Sequence, residues 1–460
     1  MTYAEPEHVR ARLDHPVVDA DGHVVEALPL VVEYIRRVAG DDVADRFAGA
    51  SPAFATRSQQ TVKGVPVTPW WALPANARDR ATGFLPRLLH ERLDEVGIDY
   101  AVLYSSVGLA CVAHADDAIR TGACRGLNTY LAEMLAGCED RMTAAAVIPT
   151  HTPDEAIAEL EHAVNVLGFK AAMFNSIVAR PVAGGPDGAQ WLDVLALDSA
   201  YDYDALWQRC VDLGVAVTVH SPSQGVGLRQ SSTRYMFNHI GNFAASGDAF
   251  AKALFFGGVT NRFPALNFAF LECGVSWGVQ LLCDLVDRWR KRGGDNIRRL
   301  DPVHIDDVEW DALMAKYGGA PFADAEVRRA MRAQSSNPPV EVDDFRDCGV
   351  GGPEDIVDQF RRFFFGCEAD DATISWAFAT GTNPCGAVLQ PMLGSDIGHW
   401  DVTDVRDVLP EAYELVEEHR LTGDQFRAFA CDNAILLHGR MNPRFFDGTR
   451  VEAYARDLLG

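Results

Sequence analysis

Residues 17–26 read VVDADGHVVE, an apolar pair followed by Asp19, Asp21 and His23 at every second position. Alternate side chains of a strand leave the same face, so all three polar groups are expected to project together from one strand end. Carboxylates gathered without a cation repel one another, whereas a divalent metal accepts oxygen and nitrogen donors at once. Taken alone, D-x-D-x-H equally fits an ordinary strand end with an Asp turn and a surface histidine. The remainder of the chain bears on which reading holds.

Seven further apolar runs have strand character, at 98–105, 143–149, 169–175, 215–220, 266–272, 362–368 and 389–396. Segments with apolar residues at helical spacing separate nearly all of them. These are 85–95 before Gly97, a helical pair between 113 and 137, 154–167 after Thr152 and Pro153, 203–213 before Gly214, 246–256, 279–290 and a short helix at 371–379. The chain from 404 on also reads as helical. Eight alternations of strand and helix predict an α/β fold, a TIM-type (β/α)8 barrel.

The 460 residues are read as one barrel domain, 1–460, with two insertions. The first, 27–89, is irregular and holds Pro66, Pro69, Trp70, Trp71 and Pro74, too aromatic for a flexible linker. The second, 293–353, is charged, irregular and too long for an ordinary loop. Both are expected to cap the strand ends.

Against 41 basic residues stand 65 acidic ones, a formal charge of -24 that repels phosphate backbones and anionic lipid. Nucleic acid and membrane are therefore not expected partners. The opening MTYAEPEHVRARLDHP lacks the apolar core of a signal peptide, and no run is long and pure enough to span a bilayer, so a cytoplasmic location is expected. Ten scattered cysteines without a C-x-x-C pair indicate neither a disulfide framework nor a cysteine zinc site.

Chemistry in such barrels sits at the carboxyl ends of the strands. There the sequence places Asp21 and His23 on strand one, His220 on five, Glu272 on six, Glu368 on seven and Asp396 on eight. Folding alone has no use for ionisable groups at so many strand ends, and a shared metal site accounts for them together.

The segments VVDADGH, RGLNTYLAEM with DRMTAAAVIP, LGFKAAMF, VAVTVHSP, NRFPALNFAFLECGVSW, MLGSDIGHWD and DNAILLHGRMNPRFF, in this order, resemble the amidohydrolase superfamily. The resemblance is specifically to its amidohydrolase-related group, which includes aminocarboxymuconate semialdehyde decarboxylase and related aromatic-acid decarboxylases. The resemblance implies a distorted eight-stranded barrel with one or two divalent metals. It puts the first-strand pair on Asp21 and His23, the fifth-strand ligand on His220 and the eighth-strand carboxylate on Asp396. Two positions depart from the pattern. The first-strand pair is usually two histidines, and Asp21 takes the first place here; decarboxylase-type members usually end strand six on a catalytic histidine, and Glu272 stands there.

Two imidazoles and two carboxylates suit zinc, manganese or iron better than copper. Glu272 has three readings: general base for water, bridge to a second metal, or structural ion pair with an arginine. His239, in the loop after strand five, is the alternative proton carrier. Glu368 and His399 are candidates for a second metal or for supporting the first. Arg229 and Arg234 are placed to grip a substrate carboxylate in bidentate fashion, or to be solvated loop charges.

The expected activity is metal-dependent hydrolysis or non-oxidative decarboxylation of a small organic acid or amide. Two alternatives stay open: a dinuclear iron or iron/manganese oxygenase, and a non-catalytic subunit pairing with an active homologue. Either a homo-oligomer or such a pairing is expected.

Overall fold

Strand β1 (Val18–Val24) pairs in parallel with β2 (Tyr100–Ser105), and the order continues without a crossover. It runs through β3 (Met142–Ile148), β4 (Ala171–Phe174), β5 (Val217–Val219), β6 (Phe268–Phe270), β7 (Phe363–Cys367) and β8 (Gln390–Leu393). The computed structural model describes residues 4–50, 61–62, 65–66, 74, 76–220, 231, 234–334 and 343–460. All eight strands coincide with the eight apolar runs. They are almost wholly buried, as parallel strands covered on both faces must be, and read as continuous apolar stretches. The barrel closes where the Asp396 N–H donates to the Asp21 carbonyl at 2.9 Å and the His23 N–H to the Ile397 carbonyl at 2.9 Å.

Local signals set the intervening helices. Helix α1 (Pro86–Val96) ends on Gly97 at φ 84°, a left-handed stop that glycine alone adopts freely. Helix α2 (Asp117–Met134) is one long helix where a helical pair was expected. Its glycines mark close packing instead of a break: a Cβ on Gly126 would meet Ile35 Cγ1 at 2.7 Å, on helix Leu28–Ala39 of the first insertion. Thr152 and Glu155 form a capping box at the start of α3 (Pro153–Asn165), and Gly214 at φ 68° ends α4 (Asp204–Leu213).

Among the described residues, both insertions carry helices where irregular chain was expected. Helices Leu28–Ala39, Asp41–Ala50 and Ala77–Phe84 occupy much of the first, because their apolar residues find a face on the barrel's own helices. The Gly83 carbonyl accepts from Val25 N–H at 2.8 Å, and a Cβ on Gly83 would stand 3.1 Å from Gly398 Cα. That part of the insertion therefore lies at the barrel mouth. Trp70 and Trp71 lie outside the described residues. The second insertion carries helices Asp307–Tyr317 and Ala325–Gln334, and its return packs Phe345 on Phe255 and Phe256 at centroid distances of 6.3 and 5.7 Å. Those two residues end helix α5 (Asn242–Phe256), which runs away from the mouth. This return thus sits at the opposite end of the barrel from the position a cap requires. All ten cysteines are free thiols, and among the described residues no helix is long and apolar enough to cross a membrane.

Candidate metal centre

The geometry of β1 separates its three polar residues. Asp19 sits opposite Ala101 but Gly22 opposite Leu103, so β1 carries one extra residue, a bulge. Gly22 makes the bulge possible, since a Cβ there would stand 2.7 Å from Asp19 Oδ2 and 2.9 Å from Leu103 Cδ2. The expectation that Asp19 joins Asp21 and His23 is corrected by this break in alternation. Asp19 is spent on closing the barrel: Ser395 N–H donates to Oδ1 at 2.9 Å, Ser395 Oγ to Oδ2 at 2.6 Å, and Asp21 N–H to Oδ1 at 3.1 Å.

Asp21, His23, His220 and Asp396 converge. His23 Nε2 lies 3.2 Å from Asp396 Oδ1 and 3.6 Å from Asp21 Oδ1, and His220 Nε2 lies 3.5 Å from that same Asp21 oxygen. All four are buried. Asp21 Oδ1, both ring nitrogens of His23 and of His220, and both Asp396 carboxylate oxygens lack a well-aligned hydrogen bond. Buried polar atoms are normally satisfied, and the donor set gathered here has the chemistry of residues that could hold a divalent metal.

Glu272 and Asp396 occupy the left-handed region at φ 53° and 50°. A non-glycine residue is held there only by its surroundings, and such strain gathers at functional sites. Glu272 Oε2 lies 3.4 Å from His220 Nε2. His399 stacks on His23 with centroids 3.7 Å apart, sets Nδ1 2.6 Å from Asp396 Oδ1, and pairs Nε2 with Ser106 Oγ at 2.9 Å. It thus contacts His23 and Asp396 at once.

His239 ends a short helix, Tyr235–His239, with Nε2 3.9 Å from Asp401 Oδ2 and its ring edge-on to Trp400 at 5.2 Å. Asp401 was not singled out from the sequence. Its signal is the acid two positions after His399 in the GHWD end of the β8 loop. Ligand-type atoms lie within 4.8 Å of one another in three groups: Asp21, His23 and His220; His23, Glu272, Asp396 and His399; His239, Glu272 and Asp401. Glu368 stands apart at the end of β7. It lines a cavity of about 150 Å³ together with Asp396 and Asp401. Arg234 is exposed on the β5 loop and Arg229 lies outside the described residues.

Burial dominates the electrostatics. It drives Asp21 and Glu272 well above the usual carboxyl range, with Asp396 adding repulsion to both, and lifts Glu368 to about 7. Burial lowers His23 to about 4 and His220 well below its ordinary value, which leaves both imidazoles neutral, the form that binds metals. Asp396 is held low against its burial by His399, Asp401 and His23. Burial, then the neighbouring Asp396 carboxyl, pushes Asp401 up to about 10.

The amidohydrolase family matches residues 18–333. This chain belongs to the amidohydrolase family, and it is an enzyme of hydrolase or lyase type. Among particular relatives, the decarboxylase orsB of Emericella nidulans is 26% identical over 205 residues, 40% of this chain and 55% of that protein. The chain thus matches about half the length of that curated relative. Among solved structures, the fold is similar to 2,6-dihydroxybenzoate decarboxylase complexed with 2,6-dihydroxybenzoate, with TM-score 0.51 and 17% identity over 92% of this chain and 99% of that one. Amidohydrolase map2389c from Mycobacterium avium subsp. paratuberculosis K-10 gives TM-score 0.54 and 15% identity over 93% and 100%. A dihydroxybenzoic acid decarboxylase from Polaromonas sp. JS666, with bound manganese and 2-nitroresorcinol, gives 0.50 and 16% over 92% and 97%. At these identities the structures establish the barrel, not the reaction.

Proposed function

We propose that this enzyme is a metal-dependent hydrolase acting on a small organic acid or amide, with Asp21, His23, His220 and Asp396 holding a divalent ion. One observation carries the reading: these four buried residues converge from β1, β5 and β8 with ligand-type atoms that lack a well-aligned hydrogen bond. The mixed oxygen and nitrogen set suits manganese, zinc or iron, and the manganese of the Polaromonas relative supports the first of these. Bound there, the ion supplies Lewis acidity, polarising a substrate carbonyl and lowering the pKa of water.

The chain's own residues do the rest. Glu272 Oε2, beside His220, takes the proton from the attacking water and returns it to the leaving group. His239 is the second proton carrier, facing Asp401. His399, fixed by Ser106, holds Asp396 in orientation. The substrate is a small molecule.

Non-oxidative decarboxylation is the second reading, supported by the names of orsB and of the dihydroxybenzoate decarboxylases. The oxygenase and the non-catalytic partner find no support in these comparisons. Metal-free protein reconstituted with manganese, zinc or iron and offered aryl acids, amides and esters in ¹⁸O water separates the readings. Label in the organic product marks hydrolysis, and CO₂ release with an unlabelled organic product marks decarboxylation. Metal-independent turnover by both wild type and His220→Ala would sink the proposal.

A further inference from the structure

We infer that residues 298–332 of the second insertion form the face through which two copies of this chain dock about a two-fold axis, the basic block 288–299 of each copy set against the acidic block 301–311 of the other. The segment follows helix Ser276–Arg292, which leads away from the barrel mouth, so this face lies apart from the metal centre and owes nothing to its reading. Every residue from Arg298 to Arg332 is at least partly exposed.

Helix Asp307–Tyr317 carries Trp310, Leu313, Met314 and Tyr317 at i, i+3, i+4 and i+7, the apolar stripe that a helix ordinarily turns toward a core. None of the four is buried, and Tyr317 is 71% exposed. Val303 at 70% and Val308 at 81% add apolar surface nearby in the chain. Arg332 Nε lies 2.6 Å from Asp307 Oδ1 and Arg328 Nε 3.0 Å from Asp311 Oδ1, which ties this helix to helix Ala325–Gln334. The arm is thus a hairpin braced by ion pairs with an open apolar side. Exposed apolar surface gathered in this way marks an interaction site.

Charge identifies the occupant. Residues 288–299 hold six basic residues and one acidic one, whereas 301–311 hold five acidic residues and no Lys or Arg, so the two blocks carry equal and opposite net charge. Within one chain the basic block is little used: the pairs Arg290–Asp287 and Arg298–Asp295 are local, at 3.6 and 3.9 Å. Arg288, Lys291, Arg292, Arg299 and Glu309 make no ion pair among the described residues. A second copy turned about a two-fold axis sets basic block against acidic block twice, the self-complementarity that an isologous interface requires. An anionic lipid or nucleic-acid surface would instead be repelled by the acidic block. A stable interface takes about 20–30 residues a side, which the arm and its basic block can supply.

Sedimentation velocity of the full chain at tens of micromolar tests the inference. Wild type is expected to sediment as two chains or an even multiple of two, and a chain carrying Leu313→Ser with Tyr317→Ser to show half that mass. Its circular dichroism should match wild type, because neither residue is buried. Two charge-reversed chains, one with Arg292→Glu and Arg299→Glu, the other with Asp301→Arg and Glu309→Arg, are each expected to show half the wild-type mass alone. Mixed in equal amounts they should regain it, since each block then meets its opposite. Should any variant lose its helical dichroism, wild type and the variants that keep it decide. Monomeric wild type overturns the proposal, whether or not it sediments with anionic lipid vesicles. Undiminished mass in the Leu313→Ser and Tyr317→Ser chain places the contact on another face and overturns it too. Failure of the mixture to regain mass overturns the two-fold pairing of the blocks.

Discussion

His220 Nε2 and Glu272 Oε2 face each other across 3.4 Å at the ends of adjacent strands β5 and β6, both buried and neither hydrogen-bonded. That relationship makes Glu272 the residue with most to lose on substitution. Glu272→Gln keeps size and shape but removes the proton-accepting charge, so kcat is expected to fall by about 10²–10⁴. Thermal stability should change little. An active variant that instead melts several degrees lower would assign Glu272 to folding.

His220→Ala removes one of two neutral imidazoles from the first set. Metal content is expected to drop from stoichiometric to near zero at micromolar ion, with activity lost alongside. The far-ultraviolet dichroism should be retained, because the barrel core around His220 is built from residues such as Val217, Val219, Phe268 and Phe270. Retention of stoichiometric metal would show that the ion, if any, sits elsewhere.

How much of this was legible before the structure depends on which force placed each residue. Strand existence, and the strand-end positions of His23, His220, Glu272 and Asp396, followed from apolar runs that only a doubly covered parallel strand requires. Asp19 did not follow, because a bulge seated on Gly22 breaks the period-two alternation, and nothing in D-x-D-x-H announces it. Asp401 was missed for a different reason: the β8 loop has no period, and its turn toward His239 is set by tertiary packing on Trp400. The helices of the two insertions were obscured because the prolines and tryptophans at 66–74 and the dense Asp and Arg of 293–353 read as irregular chain. Gly126, inside the stretch expected to hold a helical pair, is a contact surface for Ile35 within one continuous helix.

Ser395→Ala tests whether Asp19 is structural. The hydroxyl donates to Asp19 Oδ2 at 2.6 Å, and its removal leaves a buried carboxylate oxygen short of a partner. The expected loss is about 1–3 kcal/mol in urea denaturation, with metal binding at Asp21, His23 and His220 unchanged. Weakened metal affinity with unaltered stability would move Asp19 into the metal centre.

The last prediction concerns Glu26, just beyond β1, whose Oε2 accepts from Val107 N–H at 2.9 Å while Oε1 has no partner. Burial raises its pKa to about 7, against the hydrogen bonds from Ser105 and Val107. The unfolded chain loses this proton near the ordinary value of 4.5. Between those two pH values the native state therefore binds more protons than the unfolded one, and stability falls as pH rises. The contribution is complete below about 4.5, lost through the window, and flat above about 7. A displacement of this size corresponds to about 3 kcal/mol. Glu26→Gln is neutral throughout, so its stability relative to wild type should rise by about that much between pH 4.5 and pH 8. Urea denaturation of the metal-free proteins at the two pH values measures the gap. An equal gap at both would mean that Glu26 titrates in the folded barrel as it does in the unfolded chain.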